Sequence, residues 1–429
     1  MTAPRRDWLA QINGWMCEAV WAAACRYGLV FWLAMLAAIL LWHSCRPAHA
    51  SPRTMLYMAT RGGGAPVLRA DFTPDTLQMR RVSYWPVVAW NVTPWCDQRP
   101  EVPLAVRRMN PDQVQLAYDT IGLRFVYQTP GTIYGDEHAL SLRHQLRDTG
   151  GTLFPYGELS WPARQFDYWP DWSSRGYADS MTALWCRQVS TAGMRGVFLD
   201  FADVRITGVS AATGLPVSRP AGFDSAYAAN LERFARDLGR DCGIVVANGD
   251  APADGRMWEQ FSDPRYTDAA FAAYMRSGSR WDVLKSEAFA PAGSPEWCRV
   301  WRFTLAAALM GRGMACVDRP EGPTMLPDEA SVRFTLSGAR YDSTGAGVEW
   351  LKEWLGPGVR LPSGAWRADY PRGLAIWNPT FSPVTVDLGA PLWQELYGRW
   401  APTVNAGRVM RFVTVPARDG RILARRGAR

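Results

Sequence analysis

The feature that most constrains this chain is a rhythm in which short β-rich apolar runs alternate with segments of helical period. The runs are Tyr84 to Trp90, Leu123 to Tyr127, Thr152 to Tyr156, Gly196 to Asp200, Gly243 to Ala247, Trp281 to Lys285 and Met314 to Val317. Between them a 3.6-residue period predicts helices over Asp112 to Thr120, His138 to Arg147, Ser174 to Ala192, Ser225 to Asp241, Asp268 to Arg276 and Pro295 to Arg312. Strands that are apolar almost throughout are buried on both faces, and interleaved helices make them parallel. Spread over about 240 residues, such repeats predict an α/β chain with a (β/α)8 TIM-type barrel. An open dinucleotide-binding sheet is disfavoured, because no glycine-rich phosphate loop follows the first strand. The eighth strand is not visible; either it falls between Pro320 and Gly347 or the barrel is imperfect there.

After about Trp366 the rhythm stops. Gly373 to Trp377, Val384 to Leu388, Leu392 to Leu396, Val409 to Val415 and Arg421 to Ala424 are short strands joined by Asn, Pro and Gly turns, with no helix between them. They predict a small antiparallel β-sandwich domain. The organisation is therefore a leader over 1–50, a linker and lead-in over 51–80 containing Arg61-Gly-Gly-Gly-Ala-Pro66, a barrel over 81–365 and a β-domain over 366–429.

The leader is read from Tyr27 to Trp42, an uncharged apolar stretch with Arg26 in front and Ala48-His49-Ala50 behind. Charge, apolar core and small residues in that order form a signal peptide, predicting export with cleavage after Ala50. The alternative is a retained inner-membrane anchor at residues 27–42, although that stretch is shorter than the roughly 20 residues that span a bilayer. Either way the expected location is periplasmic or extracellular, which is an oxidising compartment. Beyond the leader stand Cys96, Cys186, Cys242, Cys298 and Cys316, with no C-x-x-C spacing. At most two disulfides form from that set, the pairing is unreadable, and buried free thiols are the competing reading. The net charge of +7 lacks a basic run, which argues against a nucleic-acid partner. Oligomeric state leaves no trace in the sequence.

In a barrel of this kind the chemistry sits at the C-terminal ends of the strands. That filter selects Asp200 after Gly-Val-Phe-Leu, Glu287 after Lys285-Ser286, Glu158 after Pro155-Tyr156-Gly157, Asn248 and Asp250 after the fifth run, and Asp318 after the seventh. Asp203 follows Asp200 closely, and Trp90, Tyr127, Tyr156 and Trp161 frame these acids. Carboxylates walled by aromatics suit glycoside hydrolysis, where one carboxyl protonates the leaving oxygen and another attacks or activates water. Aromatic faces pack against the apolar faces of sugar rings. The competing reading is that strand-end acids cap helices or pair with arginine. No cofactor is expected. His138 and His144, six apart, are badly spaced for a shared helix face, and Asp200-x-x-Asp203 lacks further oxygen ligands, so no metal site is read either.

These pieces resemble the endo-α-1,4-polygalactosaminidase-like glycosidases and the hypothetical glycosyl hydrolases related to them. The resemblance rests on Pro155-Tyr-Gly-Glu158, the aromatic-rich Phe166-Asp-Tyr-Trp-Pro-Asp-Trp172, Arg195-Gly-Val-Phe-Leu-Asp200 and Glu287. In the β-domain it rests on Arg372-Gly-Leu-Ala-Ile-Trp-Asn-Pro-Thr380, Val404-Asn-Ala-Gly407 and Val415-Pro-Ala-Arg-Asp-Gly-Arg-Ile-Leu423. It spans most of residues 80–425. It implies a glycosidase acting on a polysaccharide or oligosaccharide, with essential acids after the fourth and sixth strands. Carried over, these are Asp200 and Glu287, with Asn248 as a sugar-positioning amide and Glu158 as a further acid. The family often has asparagine soon after the fourth-strand aspartate, where this chain reads Asp200-Phe-Ala-Asp203. A non-catalytic carbohydrate-binding or envelope-assembly protein on the same fold is the other expectation.

Overall fold

A computed structural model of the chain describes residues 55–57, 76–91, 101–120, 140, 143–152, 169–205, 214–318, 327–330, 332–335, 338–341, 348–390 and 392–426. The chain divides into two compact units, Met1–Ala50 and Ser51–Arg429, and all described residues lie in the second. The leader therefore lies outside the described residues. No helix among the described residues is long and apolar enough to cross a membrane.

Eight strands follow one another in a single parallel sheet: β1 (Met55–Tyr57), β2 (Val87–Asn91), β3 (Val114–Thr120), β4 (Gly196–Asp200), β5 (Ile244–Ala247), β6 (Gly255–Trp258), β7 (Val283–Glu287) and β8 (Met314–Asp318). β8 comes round alongside β1, giving a barrel of the (β/α)8 type. Six helices accompany it among the described residues: α1 (Thr76–Ser83), α2 (Glu101–Met109), α3 (Arg175–Thr191), α4 (Phe223–Asp241), α5 (Pro264–Ser277) and α6 (Pro295–Met310). Their starts are written locally. Asp263 and Ser294 cap α5 and α6 through their side chains, each followed by proline at the first helical position, and Ser174 caps α3.

Several expectations are corrected. Asp112 to Thr120 is not a helix: Val114, Leu116 and Tyr118 alternate into the barrel, so the period is two, not 3.6. Residues 143–148 form turns and bridges rather than a helix, with Gln145 bridging Pro170 and His144 against the Tyr177 ring. The strands missing from the sequence reading are β1 and β6. The stretch expected to hide an eighth barrel strand holds instead an antiparallel hairpin, β9 (Val332–Thr335) with β10 (Gly338–Tyr341). The irregular point of the barrel is between β5 and β6, which are joined without a helix. β6 enters only at the level of Val246, so a short loop suffices where a parallel crossover normally needs a dozen residues or more. The runs from Leu123 to Tyr127 and, beyond Thr152, to Tyr156 lie outside the described residues.

The barrel is filled by Val87, Ala89, Leu116, Phe198, Val246, Met257, Val283, Met314 and their neighbours. A second core lies between the sheet and its helices, and α6 is its spine. Every residue from Trp301 to Met310 is buried, because α6 is covered by β7 and β8 on one side and by the C-terminal sheet on the other. That sheet runs β11 (Val359–Arg360), β12 (Trp366–Asp369), β13 (Gly373–Asn378), β18 (Asp419–Arg425), β15 (Trp393–Glu395), β16 (Val409–Met410), all antiparallel. Alternation along β13 divides its side chains: Ala375 and Trp377 join the α6 core, while Leu374 and Ile376 face the two-stranded antiparallel sheet of β14 (Val384–Asp387) and β17 (Phe412–Val415). Cys186 on α3 and Cys242 at the end of α4 form a disulfide, Cα to Cα 4.9 Å, and Cys298 and Cys316 are buried free thiols.

Candidate active site

The inward series of each central strand ends in a polar residue at the C-terminal mouth. On β3 it is Tyr118, on β4 Phe198 then Asp200, after β5 Val246 then Asn248, after β6 Met257 then Glu259, and on β7 Val283, Lys285 and Glu287. Asp200 is the centre of this ring and is only 6% exposed. Tyr118 Oη donates to its Oδ2 at 2.6 Å, and Asn248 Nδ2 donates to its Oδ1 at 2.7 Å. The Phe201 backbone N–H adds a third bond to Oδ1 at 3.1 Å, made from a left-handed backbone (φ 54°) that a phenylalanine seldom adopts. Burial raises the Asp200 pKa above the usual carboxylate range. Tyr118 opposes that rise, the Glu259 charge adds to it, and Asn248 and Lys285 oppose it.

The loops that carry these groups are stitched to one another. Asn248 N bonds Leu199 O, Ala202 N bonds Asn248 O and Ala251 N bonds Ala202 O, so the loops after β4 and β5 are tied to each other. Gly249 permits this: it sits at φ 146° with the Ala202 backbone where a Cβ would stand. On the other side Phe261 N bonds Lys285 O, bringing the turn after β6 against β7. There Lys285 Nζ donates to Glu259 Oε1 at 2.6 Å, with the lysine side chain 6% exposed and the glutamate 41%.

Of the residues selected from sequence, Asp200 and Asn248 are in direct contact. Glu287 ends β7 on the same inward series, opposite Asp318 of β8 in the register, and accepts no hydrogen bond from the described residues. Asp203 and Asp250 stand exposed at the rim, where Asp250 Oδ1 accepts from Val204 N at 2.6 Å. Partial enclosure, then the charge of Asp250, raises the Asp203 pKa. Trp90 is a correction: Val87 and Ala89 point inward, so Trp90 points outward and is wholly buried between sheet and helices. Tyr127, Tyr156, Glu158 and Trp161 lie outside the described residues. The strand count is corrected too, since Glu287 ends the seventh strand and the acid after the sixth is Glu259. Sequence reasoning missed Tyr118, Glu259 and Lys285. Counting two residues back from Glu287 along the same inward series would have found the last. No group of three or more potential metal ligands occurs among the described residues.

The segments that carried the family resemblance in the β-domain are structural. Asn378 Nδ2 donates to the Ser382, Val415 and Pro416 carbonyls, closing the turn at Asn-Pro-Thr. Asp419 of Arg-Asp-Gly takes both oxygens to Arg302 of α6 at 2.9 and 2.8 Å. Asn405 reaches Glu329 Oε1 at 2.8 Å.

No protein-family model matches the chain, and no curated protein does. Among solved structures, the cycloalternan-degrading enzyme from Trueperella pyogenes aligns at 12% identity and a TM-score of 0.47, covering 90% of this chain and 64% of that one. A trehalulose synthase mutant in complex with Tris aligns at 11% identity and 0.47, covering 88% and 100%. An α-galactosidase from Geobacillus stearothermophilus in complex with raffinose aligns at 11% identity and 0.45, covering 88% and 56%. This chain spans less than two thirds of the Trueperella enzyme. At such identities and TM-scores these likenesses assign neither activity nor substrate to this chain.

Proposed function

We propose that the protein is an exported glycoside hydrolase acting on an extracellular or periplasmic polysaccharide. The observation that carries this reading is the Asp200 carboxylate, which accepts from Tyr118, Asn248 and the Phe201 amide at the mouth of a (β/α)8-type barrel. All three groups donate, so they orient an ionised carboxylate, the form that attacks an anomeric carbon or takes a proton from water. The second acid is Glu287. Glu259 is engaged by the Lys285 ammonium, whereas Glu287 has no partner among the described residues and is free to carry a proton to the leaving oxygen. The Cys186–Cys242 disulfide suits an oxidising compartment and so supports export.

The test is release of soluble oligosaccharides, read by mass spectrometry, from galactosaminoglycan-type and envelope polysaccharides incubated with the full chain or its Glu287→Gln variant. Release by the wild type alone supports the reading; equal release by both removes Glu287 from the mechanism. A second reading, a carbohydrate-binding protein without turnover, is favoured by one observation: both Asp200 oxygens are already occupied at 6% exposure. No release combined with polysaccharide binding that survives Asp200→Asn would move the assignment to it.

A further inference from the structure

Only two of the 47 basic residues are lysines, Lys285 and Lys352. A chain that supplies almost every positive charge as arginine has placed one of its two lysines in the barrel mouth. An ammonium is a compact point charge where a guanidinium is a broad planar fork, so the choice matters in a packed interior. Lys285 lies on the inward series of β7, its Nζ is 2.6 Å from Glu259 Oε1, and the Phe261 N–H to Lys285 carbonyl bond fixes the turn that presents Glu259. Both charges act on Asp200, Glu259 favouring its protonated form and Lys285 its ionised form.

We propose that Lys285 and Glu259 are a pair of positioning residues whose opposed charges set the pH at which Asp200 becomes reactive. This rests on the reading of Asp200 as the reacting carboxylate. The other groups around the cluster are Tyr118 from β3, Asp203 after β4, Asp250 after β5 and Glu287 of β7, with Arg256 of β6, off the inward series, acting on Asp203. Neither Lys285 nor Glu259 touches the reacting atoms in this account. They act through Asp200, and removing one or the other moves its ionisation in opposite directions.

Because there are two lysines, full-length protein labelled at lysine Cε gives two resonances, assigned by Lys352→Arg. The Lys285 signal is expected to show an inflection as Asp200 ionises, lost in Asp200→Asn. With a polysaccharide the full chain cleaves, Lys285→Met should move the acid limb of kcat/KM upward by about one pH unit or more, and Glu259→Gln should move it downward. A purely structural role would lower the rate in both variants without opposite shifts. Should Lys285→Met fail to fold, Glu259→Gln carries the test, being half-exposed. A Lys285 signal without an inflection that Asp200→Asn removes, or limbs that shift the same way, would overturn the pair. If no glycan is cleaved, the hydrolase reading fails on its own and the lysine resonances still decide the pair.

Discussion

Two buried aspartates stand at opposite ends of this molecule's chemistry. Asp419, on the seam between barrel and β-domain, faces the Arg302 fork through both oxygens, accepts from Gly420 N at 2.7 Å and meets Arg421 at 3.2 Å. Asp200, in the barrel mouth, accepts from a phenol, an amide and a backbone N–H, and Lys285, whose charge acts on it, is itself tied to Glu259. The first arrangement neutralises a buried charge and fastens two layers together. The second sets neutral donors on a buried carboxylate in the barrel mouth, where burial costs its charged form stability. Burial of an acid is thus uninformative until its partners are named: cations around it indicate architecture, neutral donors indicate chemistry.

Breaking the seam should give the largest stability effect. Asp419→Ala strands Arg302, 5% exposed, without its partner and is expected to cost about 3–5 kcal/mol, read as a lowered midpoint in urea. An unchanged midpoint would mean the pair is no fastener. Removing the covalent tie comes next. Cys186 and Cys242 are 56 residues apart, and loop-closure entropy sets an upper value of roughly 4 kcal/mol for replacing both with serine. Equal thermal stability of the oxidised and reduced proteins would contradict that. At the mouth, Gly249→Ala forces a Cβ against the Ala202 backbone in a conformation that costs non-glycine residues about 1–3 kcal/mol. It should displace Asn248 from Asp200 and so lower turnover more than stability; the reverse ranking would show that the loop only packs.

The same comparison explains what was legible in the sequence. Gly-Val-Phe-Leu-Asp announced both β4 and Asp200, because a run buried on both faces must end where the first acid appears. Helices α3 to α6 were readable from period and caps, and the C-terminal strands from alternation and turns. β3 was misread because Val114, Ala117 and Tyr118 also fit a helical face, and only pairing with β2 and β4 decides for the strand. β1 and β6 are three and four residues long, too short to stand out. That cost the reading Glu259, and the misread β3 cost it Tyr118. Trp90 failed on parity alone, one residue out of phase with Ala89. The motifs Asn-Pro-Thr and Arg-Asp-Gly were visible, but that the first closes a turn of the β-domain and the second fastens it to α6 needed the third dimension.

The most direct test of the account is a paired measurement on Asp200→Asn, of turnover and of thermal stability against pH. Burial raises the Asp200 pKa in the folded protein, so the folded state holds this proton more tightly than the unfolded one. Stability from this group is therefore lost as pH rises from the ordinary aspartate value through the raised one. Asparagine keeps the shape and never ionises. The account predicts a variant without turnover whose melting temperature at neutral pH is higher than the wild type's, with the gap closing in acid. A variant that melts lower at neutral pH and still cleaves would contradict it, and would make Asp200 a structural acid like Asp419.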